Sequence, residues 1–358
     1  MNSSNVRFVG MLSLALSVAG MAGQDAKKAA EPAPSRKVYP TTGSVERLDP
    51  ALDALIPPDA RIEKLVGGLE WAEGPVWEPR SRSLLFSDVP RNVIFQWKEG
   101  VGTRDFLYPS GYTGSIVRGG ALGSNGLALD PKGRLVICQH GDRRIARLNP
   151  DGTFTTLARL WKYRRFNSPN DLVFDAQGNL YFTDPPYGLE KGNDDPAKEL
   201  VFSGVFLLRP DGEVVLLTDK LSYPNGVELS PDEKTLYVSV SDPKQPRIMA
   251  YDLKEDGTLG EGRVFFDAAP LSKTRQGLPD GLKTDARGNV FATGPGGVLL
   301  LSPEGKHLGT LLVGEVTANC AWGGDGSVLY LTAHRDLCRI RTSTLGRTFA
   351  KTKKKRRK

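Results

Sequence analysis

Apolar and polar residues alternate in short runs along most of this 358-residue chain, and turn residues separate the runs. One example is NGVELSPDEKTLYVS from Asn225, in which two alternating runs flank a Ser-Pro-Asp-Glu-Lys turn. Alternation with a period of two predicts β-strands, and two such runs joined by a short turn predict a hairpin. The 40 glycines and 25 prolines also favour short strands over long helices. We therefore expect an all-β protein.

The same hairpin pattern occurs six times, as 16-residue segments that align without a gap. The segments recur at intervals of roughly 40 to 55 residues, which leaves room for two more strands in each unit. Four strands per unit at this period are typical of a propeller blade. We predict a six-bladed β-propeller of four-stranded antiparallel blades over residues 46–345; the alternatives are a sandwich with chance similarity and a different blade count. The six segments begin at Glu73, Asn125, Asn170, Asn225, Asp280 and Asn319.

All six starting residues carry side-chain oxygens. In a propeller the innermost strands line the central channel, so their first residues are expected to converge at one mouth of the channel. Carboxylate and carboxamide oxygens are the ligands of hard divalent cations, and His and Cys are absent from this column. The sequence therefore predicts a metal site at the channel mouth. The alternative is that each Asn or Asp only forms an Asx-turn, but Glu73 is a poor residue for such a turn.

Two histidines fall in a second column, which begins fifteen residues after the first. The second strand of each hairpin returns to the same mouth, so His140 and His334 are candidates for contacting a ligand or moving a proton. The alternative is that both are hydrogen-bonded loop residues.

The two ends of the chain differ in composition from the repeats. Residues 1–23 have Arg7 before a short apolar run and small residues after it, which predicts a secretory signal peptide rather than a transmembrane helix. We expect no transmembrane segment after its removal, and an exported protein, periplasmic or secreted. Residues 24–45, rich in Ala, Lys, Pro and Ser, are predicted to be a flexible leader. The three cysteines allow at most one internal disulfide.

The formal charge of +7 arises at the C-terminus, because residues 341–358 contain nine Lys or Arg and no acidic residue. The remaining chain has 39 basic and 41 acidic residues, so we expect no specific nucleic-acid partner. Residues 346–358 are predicted to be a basic, disordered tail that could contact anionic surfaces.

Several segments resemble the senescence-marker-protein/gluconolactonase/luciferin-regenerating-enzyme family. ICQHGDRRIARL at 137–148 is similar to the bacterial gluconolactonase branch. Together the motifs cover about residues 60 to 340. The family motifs are EGPVW at 73–77, NSPNDLVF at 167–174, YFTDPPYG at 181–188, YPNGVELSPDEKTLYVS at 223–239 and LPDGLKTDARGNVF at 278–291.

This resemblance implies a six-bladed propeller with one divalent cation, usually calcium, and hydrolysis of sugar or other lactones. It implies Glu73, Asn170, Asn225 and Asp280 as the metal ligands, with Asp280 also accepting and returning a proton. Magnesium, manganese and zinc are the alternatives to calcium. The animal branch has an Arg at the position of Ser168, so its sugar contacts are not expected to transfer.

A cation that binds the lactone carbonyl would polarise it and acidify the attacking water. In this hypothesis Asp280 takes the water's proton and His140 shares the task, whereas Asn125, Asn170 and His334 bind the substrate. No Gly-x-Ser-x-Gly motif supports a serine hydrolase. Two alternatives stay open: a paraoxonase-like esterase or phosphotriesterase, and a non-catalytic propeller that binds a ligand.

Overall fold

The computed structural model describes residues 38–116 and 118–350 of the chain. The predicted signal peptide (1–23), most of the predicted leader and residues 351–358 of the predicted tail lie outside this part. No helix of the described residues is long and apolar enough to cross a membrane.

The described residues form β-strands with a few short helical turns. The helical segments are two 3₁₀ turns at Pro50–Ala54 and Gly192–Asp194, one α-helical turn, α1, at Ala269–Ser272, and helical backbone at 347–350. The strands before the first blade are β1 Thr41–Thr42, β2 Ser44–Arg47 and β3 Ile62–Val66. Blade 1 contains β4 Ala72–Glu78, β5 Ser83–Asp88, β6 Val93–Lys98 and β7 Gly102–Leu107; blade 2 contains β8 Ser124–Leu129, β9 Leu135–Gln139, β10 Arg144–Leu148 and β11 Phe154–Ala158. A separate hairpin follows, β12 Leu160–Trp161 and β13 Arg164–Arg165.

The remaining four blades follow in chain order. Blade 3 contains β14 Leu172–Phe174, β15 Leu180–Asp184, β16 Gly204–Leu208 and β17 Val214–Thr218; blade 4 contains β18 Pro224–Leu229, β19 Thr235–Val240, β20 Arg247–Leu253 and β21 Leu259–Asp267. Blade 5 contains β22 Leu282–Thr284, β23 Val290–Gly294, β24 Gly297–Leu301 and β25 His307–Leu312; blade 6 contains β26 Thr317–Gly323, β27 Val328–Ala333 and β28 Asp336–Arg341.

Six antiparallel sheets confirm the six-bladed propeller. Each blade runs from an inner strand outward in chain order, as the hairpin repeat predicts. Blade 6 obtains its fourth strand from the N-terminal part of the chain, because β3 pairs with β28 and β1 pairs with β3. Strand β2 adds a fifth strand to blade 5. The N-terminal segment therefore joins the two last blades and closes the ring.

The inner strands are irregular at the residues of the predicted column. The pairing register shifts between Pro224 and Val227 in β18, and equivalent shifts occur in β4, β8 and β26. Such bulges redirect side chains and are common beside active sites. Gly226 follows Asn225 at this point, and a Cβ there would lie 2.2 Å from the Asp280 carbonyl oxygen. A glycine is therefore required where neighbouring inner strands approach each other.

The apolar core lies between adjacent blades. Blades 2 and 3, for example, share a cluster in which the rings of Phe166, Phe182 and Phe206 lie 5.2 to 5.3 Å apart. The same cluster contains Val136 and Ile145 of blade 2, so neighbouring repeats bury their apolar faces against each other. The three cysteines are buried and unpaired, and none forms a disulfide.

Both predicted domain boundaries need correction. Residues 41–45 are not leader, because Thr41 and Thr42 pair with β3 and Ser44 and Val45 pair with β25. Folded structure also continues past residue 345, since Gly346 forms a bridge with Asp285. Both segments appear as linkers in the sequence because they lack the repeat pattern, whereas their backbones complete blades 5 and 6.

The segment 346–350 lies at the end of the channel opposite the oxygen column. There Arg347 donates from Nε to Glu228 Oε1 at 2.7 Å and from Nη2 to the Phe174 carbonyl at 3.3 Å. Phe349 packs against the apolar cluster of blades 5 and 6. A cavity of about 800 Å³ opens at this lower end, and Trp77, Trp322 and Phe349 are among its walls.

Candidate active site

The six side chains of the oxygen column converge at the upper end of the channel. Glu73, Asn125, Asn170, Asn225 and Asn319 are buried, whereas Asp280 is partly exposed. We call this set the oxygen ring. Five of the six line one cavity of about 580 Å³; they are Glu73, Asn125, Asn170, Asn225 and Asp280. The structure thus brings together every residue that the sequence predicted as a metal ligand.

Hydrogen bonds orient the amides of the ring. Asn170 Nδ2 donates to Asn225 Oδ1 at 2.7 Å, and Asn225 Nδ2 donates to Ser241 Oγ at 2.9 Å. Ser241 Oγ in turn donates to the Pro279 carbonyl at 2.5 Å. Within the described part of the chain, two buried oxygens of this ring, Asn170 Oδ1 and Asp280 Oδ1, have no hydrogen-bond partner.

The carboxyl groups of the ring lie close enough to affect one another. The pKa of Glu73 is raised to about 7, because burial and the Asp171 carboxylate outweigh the opposing hydrogen bond from the Gly74 N–H. Burial also raises the pKa of Asp280 well above its usual range, and the charges of Glu73 and Asp171 act in the same direction. A positive charge among these groups would favour their ionised forms. The electrostatics of the ring are therefore those of a cation site.

This donor set fits a hard divalent cation. It offers carboxylate and amide oxygens, two of them buried and unpartnered, which are the ligands that calcium prefers. Among residues 38–116 and 118–350, no group of three or more His, Cys, Asp or Glu could hold a metal ion. The neutral amides explain this, since half of the four predicted ligands are asparagines.

His140 is a buried base beside the ring. Its Nδ1 lies 3.1 Å from the Ala121 carbonyl, which can only accept, so the proton is on Nδ1 and Nε2 is left as an acceptor. Nε2 has no partner among the described residues. Burial lowers the pKa of His140 to about 4, while the Ala121 carbonyl and the Asn170 amide act in the opposite direction. The imidazole is thus neutral near pH 7 and lines the cavity.

The structure separates His334 from this arrangement. His334 is not among the described residues that line the cavity. Its Nδ1 lies 3.3 Å from Glu315 Oε2, and the centroid of its ring lies 5.2 Å from that of the Trp71 ring. Trp71 is the wall residue here, and His334 packs against it. The prediction of His334 as a substrate contact is therefore not supported by its position.

Sequence reasoning missed the aromatic side of the cavity. Trp71, Tyr187 and Tyr223 line it, and the hydroxyl of Ser241 reaches it as well. Tyr187 lines the cavity beside Asn225 and Asp280, and both burial and the Asp280 carboxylate raise its pKa. Tyr187 lies three residues past Asp184, at the end of a second strand. A search for aromatic residues beside Pro and Gly after those strands would have found it.

The fold and the site can be compared with known proteins. A family model described as the SMP-30/Gluconolactonase/LRE-like region matches residues 71–335. A gluconolactonase of Zymomonas mobilis is 39% identical over 314 residues, which cover 86% of this chain and 88% of that protein. A regucalcin of Bos taurus is 31% identical over 270 residues, covering 74% of this chain and 83% of that protein. The structure of XC5397 from Xanthomonas campestris, a gluconolactonase, superposes with a TM-score of 0.74 at 31% identity, over 86% of this chain and 99% of that chain.

Proposed function

Because the chain belongs to the SMP-30/gluconolactonase/LRE-like family, we propose that it is a metal-dependent hydrolase that opens sugar lactones. Lactone hydrolysis is supported by its relatives, which include the gluconolactonases described above and a pentonolactonase of Haloferax volcanii.

The observation that carries the proposal is the pair of unpartnered buried oxygens, Asn170 Oδ1 and Asp280 Oδ1, in an oxygen ring that also contains the Glu73 carboxyl. Unpaired buried acceptors and adjacent carboxyls both destabilise a fold unless a ligand compensates them. Glu73, Asn170, Asn225 and Asp280 would hold the cation, with calcium favoured by the oxygen ligands. When bound, a divalent cation polarises the lactone carbonyl and stabilises negative charge on its oxygen.

The residues of the chain would supply the proton transfers. Asp280 takes a proton from the attacking water while the oxygen of that water bonds to the carbonyl carbon of the lactone. It then returns that proton to the ring oxygen of the lactone as the C–O bond breaks, which gives the hydroxy acid. The neutral His140 provides a second acceptor at Nε2 for a proton in the same cavity. Asn125, which contributes an amide to the cavity wall, would bind a substrate hydroxyl.

Metal analysis combined with a substrate panel tests this proposal. The purified protein is loaded with calcium, magnesium, manganese or zinc, and hydrolysis of aldonolactones, aliphatic lactones and aryl esters is measured with and without chelator. We expect aldonolactone hydrolysis that is lost with chelator and restored by calcium. Full activity in metal-free protein would contradict the role of the cation. Faster turnover of aryl esters would favour the paraoxonase-like esterase, and binding without hydrolysis of any substrate would favour the non-catalytic propeller.

Export is a further part of the proposal, supported by the signal-like composition of residues 1–23. Expression of the full chain in a bacterial host, followed by fractionation and N-terminal sequencing, tests it. We expect a processed protein outside the cytoplasm that begins after about residue 23. An unprocessed chain recovered only with cytoplasmic markers would contradict export.

A further inference from the structure

We propose that Tyr187 and Tyr223 form the wall of the cavity that selects the substrate, packing against one face of a polyhydroxylated, saturated six-membered ring while the Tyr187 hydroxyl bonds to a substrate hydroxyl. This inference rests on the proposed lactonase function and names the substrate class within it.

The two rings stack against each other in the wall of the cavity. Their centroids lie 5.9 Å apart, and their planes differ by 17°. Both side chains line the cavity that also contains Asp280 and Asn225. Aromatic side chains present a large rigid surface at a small cost in conformational entropy, and such a face can pack against the C–H face of a saturated ring. The paired rings therefore offer a ring-sized surface beside the proposed catalytic groups.

The backbone around Tyr187 is fixed by Ser168. Ser168 Oγ donates to the Pro185 carbonyl at 2.6 Å and accepts from the Gly188 N–H at 2.8 Å. A Cβ on Gly188 would lie 2.7 Å from the Cβ of His140, so the turn packs directly against that base. The Ser168 hydroxyl is thus engaged in holding the turn that presents Tyr187 to the cavity.

Tyr223 is held differently. Its φ of 52° is in the left-handed region, which is uncommon for a bulky residue and tends to persist at functional sites. Its hydroxyl accepts from Asn193 Nδ2 at 2.9 Å. Tyr223 therefore offers the substrate mainly its ring face. Tyr187 lines the cavity together with Asn225, Ser241 and Asp280, and its hydroxyl, which hydrogen-bonds to Asn225 and Ser241, lies among the polar groups of the wall.

The test compares Tyr187→Phe and Tyr223→Phe, with Tyr163→Phe as a control because Tyr163 is 96% exposed and outside the cavity. Three compounds are used: glucono-δ-lactone, the unsubstituted δ-valerolactone, and 1,5-anhydroglucitol, which has the same hydroxylated ring but no carbonyl. Hydrolysis gives kcat and KM for the lactones, and calorimetry gives the affinity for 1,5-anhydroglucitol. Metal content is measured for every variant.

We expect Tyr187→Phe to raise the KM for glucono-δ-lactone about tenfold and to weaken 1,5-anhydroglucitol binding by a similar factor, since one hydrogen bond is lost. The same variant should change δ-valerolactone hydrolysis by only about twofold. Tyr223→Phe should cost less, about threefold, and equally for both lactones, because its hydroxyl bonds to Asn193. Tyr223→Leu should weaken the binding of all three compounds, since the aromatic face of Tyr223 is removed.

The proposal would be overturned if Tyr187→Phe raised the KM for both lactones equally, or for neither. Wild-type protein that hydrolyses lactones without binding 1,5-anhydroglucitol would also overturn it and leave the lactonase function intact. Conversely, tyrosine-dependent binding of 1,5-anhydroglucitol in a protein that hydrolyses no lactone would support the wall and contradict the hydrolase.

Discussion

The two ends of the channel differ in whether their buried charged groups are paired. At the upper end, burial and the Glu73 carboxylate raise the pKa of Asp280, and Asp280 Oδ1 has no partner among the described residues. At the lower end, Glu228 accepts from Arg347 Nε at 2.7 Å and has Lys283 Nζ at 3.8 Å. Glu228 and Lys283 lie on the inner strands β18 and β22, three residues after Asn225 and Asp280 of the oxygen ring. The fold therefore does not require unpaired charge in its channel.

The difference assigns separate roles to the two ends. An unpaired buried polar group destabilises a protein by about 1 to 3 kcal/mol, so natural proteins keep few of them. Three of them, His140 Nε2, Asn170 Oδ1 and Asp280 Oδ1, belong to residues that line the upper cavity, where a bound ligand would compensate them. We infer that the upper end is organised for binding and chemistry, and the lower end for stability.

The largest effect is expected from Asp280→Ala at the upper end. Loss of the proton acceptor and of one cation ligand should lower kcat/KM for aldonolactones by on the order of 10⁴-fold. Thermal stability should be unchanged or higher, because a like charge and an unpartnered oxygen are removed. Asp219→Ala, at an exposed carboxyl on blade 3, is the matched control. Turnover near that of wild type in the Asp280 variant would show that this end does not carry the chemistry.

The next effect is at the lower end, in Arg347→Met. It leaves Glu228 without its closest cation, and breaking a buried ion pair typically costs about 3 to 5 kcal/mol. We expect a loss of this size in the free energy of unfolding, measured with denaturant, and kcat/KM within about twofold of wild type. Adding Glu228→Gln should recover most of the loss. A chain that ends at Ala350 keeps Arg347 and serves as the control; equal destabilisation by that truncation would contradict a specific role for the pair.

Calcium should stabilise the protein through the upper end only. At a hundred times its dissociation constant, binding to the folded state adds about 2.7 kcal/mol to the free energy of unfolding. The increase should persist in Arg347→Met and largely disappear in Glu73→Gln, as measured by thermal unfolding with and without calcium. A calcium effect that survives in Glu73→Gln would place the cation elsewhere in the molecule.

The smallest effect is a change in how steeply the free energy of unfolding depends on pH. It concerns Asp184, a buried carboxyl that supports the upper end. Asp184 accepts from the N–H groups of Asn167 and Ser168, yet burial raises its pKa to about 7. The folded state then holds this proton above the pH at which the unfolded chain releases it. The contribution of Asp184 to stability is therefore full below about pH 4 and declines as pH rises to about 7. The free energy of unfolding of Asp184→Asn, measured with denaturant, should depend less on pH between these values than that of wild type. Parallel pH profiles of variant and wild type would contradict the raised pKa of Asp184.

The hairpin repeat predicted the upper end well because each ring residue begins an inner strand. Position in the repeat was enough to bring Glu73 and Asp280 together, although they are distant in sequence. His334 failed the same logic. Its φ of 50° lies in a turn, where the backbone leaves the strand direction, so counting residues along a strand no longer predicts where the side chain points.

The lower end and the aromatic wall were not predictable in this way. Arg347 belongs to a stretch whose composition indicates a solvated tail, and its partner Glu228 is more than a hundred residues earlier. Tyr187 depends on a turn held by Ser168, and such side chain–backbone contacts leave no periodic pattern. Pattern reasoning detects what repeats along the chain, and these features each occur once.

The closure of the ring by β3 also determines when the protein can finish folding. Arg339 of β28 donates to Glu63 of β3 at 2.6 Å, across a separation of 276 residues. Contacts this distant form late, and a ribosome adds only about 5 to 20 residues per second. For on the order of ten seconds after β3 is made, its partner strand does not exist, and the edge of β3 stays unpaired. The ring of blades therefore cannot close until the last blade is synthesised. Premature termination before β28 would release a molecule with two exposed strand edges, which can pair with other chains.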